Sequence, residues 1–500
     1  MDQNRICIPV FAESPDELNG HILRAEAAAD VIEVRLDHLS DPAAYEVPIS
    51  KKNLLLTLRP VREGGKANDD AEERAAIWQK ILPQIESRAD VMIDLEFDLA
   101  NRFGSFPSRR TVFSHHDLRQ VPIEAEDLFN DLAKLGGIVK IAYPASDITD
   151  TIPLIKLIEI SVESGIPFIP AAMGEPGKLL RIMGPALGAY MTFASSETGK
   201  QTAPGQIPAA EMEAVYRVRH LDKETQIFGL IAGNTSYSTS PFMHNAAFAE
   251  RKINAVFIPY QIVNVGDFLQ RMVKKETREI GLNFAGFSVT NPHKQAVMPF
   301  LDEIDAAAAE IGAVNTIKVD GGKLIGHNTD AQGFIQPLID LYGELAGTKA
   351  AVIGAGGAAR ACIYMLRKHG AEVTVFARDT SRAAGVAEEF GAAIEELTGS
   401  PSLLKGQDIV INATPLGTKG ESEGVSPVSA DQLSGASLAY DLVYNPAATR
   451  FLKEAELAGV RTLGGLDMLV AQGAQQFRLW LDDAAPEEAM AAAVRQRLGI

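Results

Sequence analysis

The first ~200 residues alternate short apolar runs with amphipathic, Ala- and Glu-rich stretches, and no other feature restricts the fold of this chain as tightly. The runs are "RICIPV", "VIEVR", "NLLLTLR", "DVMIDLE", "TVFSH", "GIVKIA", "PFIPAAM" and "AYMTFA". Each has strand length and is bounded by helical or turn segments. Eight strand–helix units in roughly 220 residues is the arithmetic of a (β/α)8 barrel, which typically takes about 250 residues and can be smaller. In such barrels the active site sits at the C-terminal ends of the strands. Those ends carry Glu33, Arg35 and Asp37 on the second strand, Arg59 with Arg62 and Glu63 after the third, Asp94 and Glu96 on the fourth, and His115 and His116 on the fifth. Lys140 lies inside the sixth, while Met173, Arg181 and the turn-rich "KQTAPGQIP" follow the seventh and eighth. Polar groups therefore gather at one rim.

The segment Pro208–Gln226 reads as a helix closing the barrel and then a polar linker, which puts a barrel domain at 1–222. A second strand series, "IFGLIAGN", "AVFIPYQI", "FAGFSVT" and "AVNTIKV", predicts a small α/β domain over 226–335. Residues 336–465 contain "TKAAVIGAGGAARACIYMLRKHG", a strand, a Gly-rich turn and a helix, followed by the strand "AEVTVFAR", so a doubly wound nucleotide-binding domain is expected there. A helical segment, 466–500, completes the chain, and the fold class is α/β throughout.

With 500 residues, 46% hydrophobic and 22% charged, the chain has apolar material for two or three domains. Its 47 Lys and Arg against 65 Asp and Glu leave a net charge of -18, which disfavours nucleic acid or an anionic membrane as partner. An anionic small substrate must then meet a locally basic site. Cys7 and Cys362 are the only cysteines, far apart and without metal spacing, so neither a disulfide framework nor a zinc site is expected. The start "MDQNRICIPV" lacks the regions of a signal peptide, and no apolar run reaches membrane-span length. The expectation is a cytoplasmic protein, or a plastid stromal one whose transit peptide has been removed.

Three constellations carry chemistry. Burying an ammonium inside a barrel strand is costly, and the neutral amine that burial favours is a nucleophile, so Lys140 suits imine formation with a ketone. His116 as base, Glu63 as its orienter and Arg181 as a carboxylate clamp complete a proton-abstraction site beside a carbonyl. Taken alone, Lys140 also fits a strand-end lysine whose ammonium reaches water. Next, "GAGGAAR" fits G-x-G-x-x-A in its required context between strand and helix, with Gly354, Gly356, Gly357 and Ala358 around a pyrophosphate. No acidic residue ends the following strand; Arg378 and Arg382 there favour the 2′-phosphate of NADP. Finally, "GNTSYSTSPFMHN", "GFSVTNPHK", "GAVNT" and "GHNTD" offer Ser238, Ser240, Thr290 and Asn315 as uncharged hydrogen-bonders, with Lys294 and Asp330 able to form a proton-moving dyad or a surface ion pair.

The words "EVRLD", "TLR" with "REGG", "SHHD", "KIA", "MG" with "G..LR", and "APGQ" occur in the order found in type I 3-dehydroquinate dehydratases, which residues 5–210 resemble. The resemblance implies that Lys140 forms an imine with 3-dehydroquinate and that His116 is the general base, oriented by Glu63. It implies further that Arg181 holds the substrate carboxylate and that Glu33, Arg35, Arg59 and Gln206 meet ring hydroxyls. Thr202 stands where that family often has serine. Residues 226–500, with "INATPLG", "YDLVYNP" and "GLDMLVAQGAQQFRLW", resemble shikimate dehydrogenases. That likeness implies a catalytic pair Lys294–Asp330, shikimate held by Ser238, Ser240, Thr290, Asn315 and Gln472 with Tyr444 beside it, Thr414 at an NADP site, and a last helix packed back on the substrate domain. Ser288 stands where asparagine is common before "VT", Asn291 precedes "PHK", and Ala377 stands where asparagine commonly precedes the phosphate-binding arginine. The whole resembles the fused dehydratase–shikimate dehydrogenases of aromatic biosynthesis. It implies dehydration of 3-dehydroquinate to 3-dehydroshikimate and reduction to shikimate with NADPH. The competing readings are a quinate-utilising paralogue and a metabolite-sensing regulator with dead sites.

Overall fold

Successive side chains of a strand alternate between faces, so residues two apart share one. In the first part of the chain this rule stacks chemistry on an apolar floor. The strands are β1 (Ile6–Val10), β2 (Val31–Arg35), β3 (Asn53–Thr57), β4 (Val91–Glu96), β5 (Thr111–His116), β6 (Ile138–Pro144), β7 (Phe168–Met173) and β8 (Thr192–Phe193). They run parallel in the order β7-β6-β5-β4-β3-β2-β1-β8, a nearly closed barrel. Tyr190, just ahead of β8, donates its backbone N–H to the Phe168 carbonyl (2.7 Å) and brings the last segment to β7. The floor is an apolar cluster of Cys7, Val31, Leu55, Met92, Val112, Ile138, Ile169 and Met191. Two residues further along five of these strands stand Glu33, Thr57, Asp94, Ser114 and Lys140, all buried. Two further again come Arg35, Arg59, Glu96 and His116.

A computed structural model of the chain describes residues 4–100, 102, 107–197, 203–236 and 238–500. Two units emerge, Met1–Thr225 with Tyr260–Val273 and Thr277–Asn283, and Gln226–Pro259 with Lys274–Glu276 and Phe284–Ile500. The helix predicted from Pro208 is short, Ala209–Ala214. Arg217 then turns left-handed (φ 52°), only a single 3-10 turn, Val218–His220, follows, and the Asn4 amide donates to the carbonyls of Val218 (2.9 Å) and Leu221 (2.7 Å). Gln226 already begins the next strand.

The second unit holds two six-stranded sheets. One comprises β9 (Gln226–Ala232), β10 (Ala255–Gln261), β11 (Phe284–Val289), β12 (Glu303–Ile304), β13 (Thr316–Asp320) and β14 (Lys323–His327), ordered β10-β9-β11-β13-β14-β12. The antiparallel β13–β14 hairpin turns on Gly321 and Gly322, whose φ values of 57° and 91° are the left-handed pair a two-residue type I′ turn requires. The strand β14 is absent from the predicted series, since "KLIGH" offers only two apolar side chains. The other sheet comprises β15 (Lys349–Ile353), β16 (Glu372–Ala377), β17 (Ala393–Glu396), β18 (Ile409–Asn412), β19 (Leu438–Asp441) and β20 (Arg461–Leu463). All its pairs are parallel, in the order β17-β16-β15-β18-β19-β20, the doubly wound dinucleotide-binding order with its switch point between β15 and β18.

The C-terminal helices Gly465–Leu481 and Glu487–Leu498 return to the first of these sheets. Phe477, Trp480, Met490 and Val494 join Phe228, Met243, Phe248 and Phe257 in one cluster, and Trp480 Nε1 donates to the Ile317 carbonyl (3.0 Å). At about 1.5–3 kcal/mol for each large side chain buried, this cluster fixes the helix that carries Gln472 and Gln476. Among the described residues no helix is long and apolar enough to cross a membrane, no His, Cys, Asp and Glu cluster could hold a metal, and Cys7 and Cys362 are buried free thiols.

Candidate functional site

A cavity of about 230 Å³ at the C-terminal end of the barrel strands is lined by Glu33, Arg35, Arg59, Glu63, His116, Lys140, Arg181 and Gln206, with Met173, Phe193 and Pro204 among its apolar walls. The remaining predicted residue of this half, Thr202, lies outside the described residues. His115, on the opposite face of β5, does not line the cavity. Lys140 Nζ donates to Asp94 Oδ2 (2.9 Å), lies 3.8 Å from Glu33 Oε1, and sits 4.6 Å from the centre of the Phe193 ring. Thr57 Oγ1 donates to Glu33 Oε1 (2.9 Å), which fixes that carboxylate.

His116 Nδ1 lies 3.2 Å from Glu63 Oε2, so the ring N–H points to the carboxylate and Nε2 is the basic nitrogen. Burial, reinforced by the charges of Arg59 and Lys140, pushes the imidazole well below its usual range, so it stays neutral and able to accept a proton. Glu63 stays ionised: burial works against it, but the His116 hydrogen bond and Arg59 hold its carboxyl below the usual range.

Arg181 is buried with Nη2 donating to the carbonyls of Pro204 (2.9 Å) and Ala172 (3.3 Å), while its Nε–H has no acceptor. No carboxylate among the described residues pairs with it, and burial pushes this guanidinium down to about 10. A buried cation in this state is stabilised by an incoming anion. Arg35 and Arg59 are placed differently from Arg181. Arg35 is held in a two-pronged pair with Asp37 (2.9 and 2.8 Å), and Arg59 contacts Asp94 (2.7 Å), Glu96 (3.1 Å) and Glu63 (3.3 Å) and donates to Ser114 Oγ (2.8 Å). Asp94 and Glu96, expected at the rim but given no role, form this hub with Ser114, which sequence reading missed; its signal was the period-two spacing above the floor. Burial, with Asp94 and Glu63 nearby, pushes the Glu96 carboxyl up to about 8 in spite of Arg59.

In the second unit Lys294 Nζ donates to Asp330 Oδ2 (2.5 Å) and Asn315 Nδ2 to Asp330 Oδ1 (2.8 Å). The Asn315 amide is oriented by its Oδ1, which accepts from the Thr329 backbone N–H (2.7 Å) and Thr316 Oγ1 (2.8 Å). Ser238 and Ser240 follow β9, and Thr290 follows β11; Ile231 pairs with Val289 across these strands, and Thr290 N donates to the Ile231 carbonyl (3.0 Å), so the three hydroxyls share one rim. Ser238 Oγ accepts from the Ser240 backbone N–H (3.2 Å). Gln472 crosses the helix Thr329–Tyr342 that carries Asp330: a Cβ added to Gly333 would stand 2.7 Å from its Cβ. Its amide donates to the Leu469 carbonyl (2.9 Å). Tyr444 is partly buried and packs against the C-terminal cluster. Gln476, outside the sequence expectations, bridges Ser288 Oγ (2.8 Å), His244 Nε2 (3.2 Å) and Thr316 Oγ1 (3.0 Å).

At the switch point, Gly354 has φ 109°, and an added Cβ would come 3.0 Å from Thr414 Cγ2. A Cβ on Gly356 would meet nothing within 4 Å, and one on Gly357 would reach Lys294 Cδ at 3.1 Å. The turn is thus open on one side and lies against Lys294 on the other. Ala358 lies in the first turn of the helix Gly357–Lys368, whose N-terminus has no side-chain cap. Thr414 Oγ1 donates to Asn412 Oδ1 (2.6 Å), which fixes the facing loop. Arg378 and Arg382 are exposed, and Asp379 between them caps a helix, accepting from the Arg382 backbone N–H (3.1 Å). This arrangement fits a dinucleotide with a 2′-phosphate.

The chain matches family profiles described as type I 3-dehydroquinase over residues 6–223, shikimate dehydrogenase substrate binding domain over 230–317, shikimate / quinate 5-dehydrogenase over 339–419, and shikimate 5′-dehydrogenase C-terminal domain over 465–495. It is 35% identical over 515 residues, 97% of this chain and 83% of the relative, to the chloroplastic bifunctional 3-dehydroquinate dehydratase/shikimate dehydrogenase of Arabidopsis thaliana. It is 39% identical to the shikimate dehydrogenase (NADP(+)) of Methanopyrus kandleri, over 56% of this chain and 98% of that one. Among solved structures, a shikimate dehydrogenase in complex with NADP+ matches 56% of this chain and 97% of its own with TM-score 0.51 at 35% identity. A chorismate mutase/shikimate 5-dehydrogenase fusion from Clostridium acetobutylicum matches 55% and 99% with TM-score 0.50 at 32% identity.

Proposed function

The chain belongs to the bifunctional 3-dehydroquinate dehydratase/shikimate dehydrogenase family, and from that premise we propose which residues carry each of its two reactions. The first reaction dehydrates 3-dehydroquinate to 3-dehydroshikimate through a lysine imine; the second reduces 3-dehydroshikimate to shikimate with NADPH. Residues 1–222 perform the first. Residues 226–335 hold the second substrate, 336–465 the cofactor, and 466–500 brace the substrate sheet.

At the barrel site Lys140 Nζ attacks the ring ketone and water leaves, giving a protonated imine that draws electrons from the adjacent carbon. His116 Nε2 takes a proton from that carbon while Glu63 holds the other ring nitrogen. The proton passes to the neighbouring hydroxyl, which departs as water, and hydrolysis of the imine frees product and lysine. Arg181 binds the substrate carboxylate through two N–H groups, a geometry lysine lacks. Glu33, Arg35, Arg59, Thr202 and Gln206 serve the ring hydroxyls. One observation supports this reading above the rest: an amine, a neutral imidazole and a guanidinium without a carboxylate partner converge in one cavity.

At the second site Lys294 delivers the proton to the reduced oxygen, and Asp330, fixed by Asn315, holds the lysine in place. Bound NADPH supplies the two electrons. Ser238, Ser240, Thr290 and Gln472 hold the ring hydroxyls and carboxylate, with Tyr444 at the margin. Gly354, Gly356, Gly357, Ala358 and Thr414 line the cradle, and Arg378 and Arg382 take the 2′-phosphate. Quinate is the competing substrate, since one matched profile is described as shikimate / quinate 5-dehydrogenase. The retained Ser238 and Thr290 favour shikimate, because quinate carries an extra ring hydroxyl that needs room. The buried free thiols support a reducing compartment, cytoplasm or plastid stroma, and the charge of -18 supports small anions rather than nucleic acid as partners.

Borohydride reduction in the presence of 3-dehydroquinate tests the first assignment. A permanent adduct on Lys140, found by peptide mass and missing in Lys140→Ala, is expected; absence of any adduct on the wild-type chain refutes it.

A further inference from the structure

The mechanism above leaves a buried carboxylate unexplained. Asp94 is fully buried on β4 and touches the reacting nitrogen: Oδ2 accepts from Lys140 Nζ (2.9 Å) and pairs with Arg59 Nη2 (2.7 Å), while Oδ1 accepts from Ser114 Oγ (2.5 Å). Ser114 in turn accepts from Arg59 Nη1 (2.8 Å). Glu33 is 3.8 Å from the same nitrogen, outside hydrogen-bond distance. Burial alone would push the Asp94 carboxyl up, but Arg59 and Lys140, helped by Ser114, hold it at about 2. Asp94 is thus an anion at any working pH and does not carry protons itself.

We propose that Asp94 is the permanent counter-ion of the imine nitrogen, keeping the Lys140 imine protonated while His116 removes the carbon-bound proton. The inference rests on the imine assigned above to Lys140. The balance of the step explains why one fixed anion suffices. The lysine ammonium first passes one proton to the neutral His116; the amine then attacks so that the C–N bond forms, and the carbonyl oxygen leaves as water with that proton and one more of the nitrogen's hydrogens, so nitrogen carries one positive charge before the step and one after it. Oδ2 therefore pairs with the ammonium before the step and with the imine N–H after it, without moving. An unprotonated imine is a poor electron sink, so loss of the anion slows the proton abstraction rather than the binding. The other ionisable groups in this cavity or beside this nitrogen are Cys7 on β1, Glu33 on β2, Arg59 and Glu63 after β3, His116 on β5 and Arg181 after β7, with Glu96 of β4 paired to Arg59. None of the other carboxylates is within hydrogen-bond distance of it.

The test uses the full chain. Asp94→Asn is expected to lower dehydratase kcat by about tenfold or more, with KM within about threefold, and to move the alkaline limb of kcat down by about one pH unit. Asp94→Ala is expected to regain activity with added formate. Shikimate dehydrogenase turnover by the same variants reports that the rest of the chain is intact. In the wild type, the 15N resonance of the lysine imine stays in the protonated range to about pH 9, a measurement that needs no variant. Failure of the wild type to form any trapped adduct defeats the Lys140 assignment itself. An adduct with an unmoved alkaline limb in Asp94→Asn, a loss that formate does not restore, or a wild-type imine that deprotonates near neutrality defeats the counter-ion role alone.

Discussion

Replacing Glu63 by glutamine keeps the side-chain shape and removes one negative charge beside the base. Glu63 Oε2 stands 3.2 Å from His116 Nδ1 and 3.3 Å from Arg59 Nη1. Exchanging a charge-assisted hydrogen bond for a neutral one loses about 1–1.5 kcal/mol. The imidazolium formed on proton abstraction also loses a counter-charge about 4 Å away, at most ~4 kcal/mol at an effective dielectric of ~20. Between those bounds, dehydratase kcat falls roughly 10- to 1000-fold, while KM changes little because Arg181 still holds the carboxylate. The sign of the pH effect is also determined. Removing an anion disfavours imidazolium, and His116 already lies below its usual range through burial and the neighbouring cations, so the acid limb of kcat/KM moves to still lower pH. Initial rates followed by the ultraviolet absorbance of the conjugated product between about pH 5 and 9 read both quantities. A kcat within threefold of wild type, or an acid limb that moves up, refutes the orienting role.

Arg378→Ala and Arg382→Ala are each expected to raise KM for NADPH about tenfold and leave the weaker NADH reaction unchanged, because only the 2′-phosphate contact is lost; equal losses with both cofactors would contradict this. Gly354→Ala puts a Cβ at φ 109° and 3.0 Å from Thr414, so weakened NADPH binding and a loss of about 1–3 kcal/mol are expected by calorimetry and denaturant melts. His244, pushed down to about 3 by burial against the partial support of Gln476, is protonated in the unfolded chain near 6.5. Stability from this residue is therefore full above about pH 6.5 and declines as pH falls toward 3, by ~1.4 kcal/mol per unit. His244→Phe should flatten the decline between about pH 6.5 and 4.5, and an unchanged slope would remove this histidine from the account.

The barrel was legible because the period-two rule acts strand by strand: Val31, Glu33 and Arg35, or Ile138, Lys140 and Ala142, display floor and chemistry within a single run. The dinucleotide turn was legible for a similar local reason, since Gly354, Gly356 and Gly357 lie between a strand and a helix of clear pattern. What escaped was tertiary. Asp94 acquires its meaning only when Arg59 and Ser114 arrive from two other segments, and Gln476 looks like any helical glutamine until Ser288, His244 and Thr316 surround it. Ser288, which departs from the common asparagine, is a case of this kind, because its hydroxyl is spent on Gln476. The β13–β14 hairpin escaped because its signal is two glycines rather than an apolar run.

The account stands or falls on one chain performing both reactions with two separate lysines. The decisive measurement supplies 3-dehydroquinate and NADPH and follows NADPH oxidation by wild type, Lys140→Ala and Lys294→Ala. Wild type should consume NADPH. Lys140→Ala should be idle until 3-dehydroshikimate is added, Lys294→Ala should accumulate 3-dehydroshikimate without oxidising NADPH, and a mixture of the two should restore the flux. A wild-type chain that binds 3-dehydroquinate but oxidises no NADPH, even when given 3-dehydroshikimate, would contradict it and leave a metabolite sensor built on these folds.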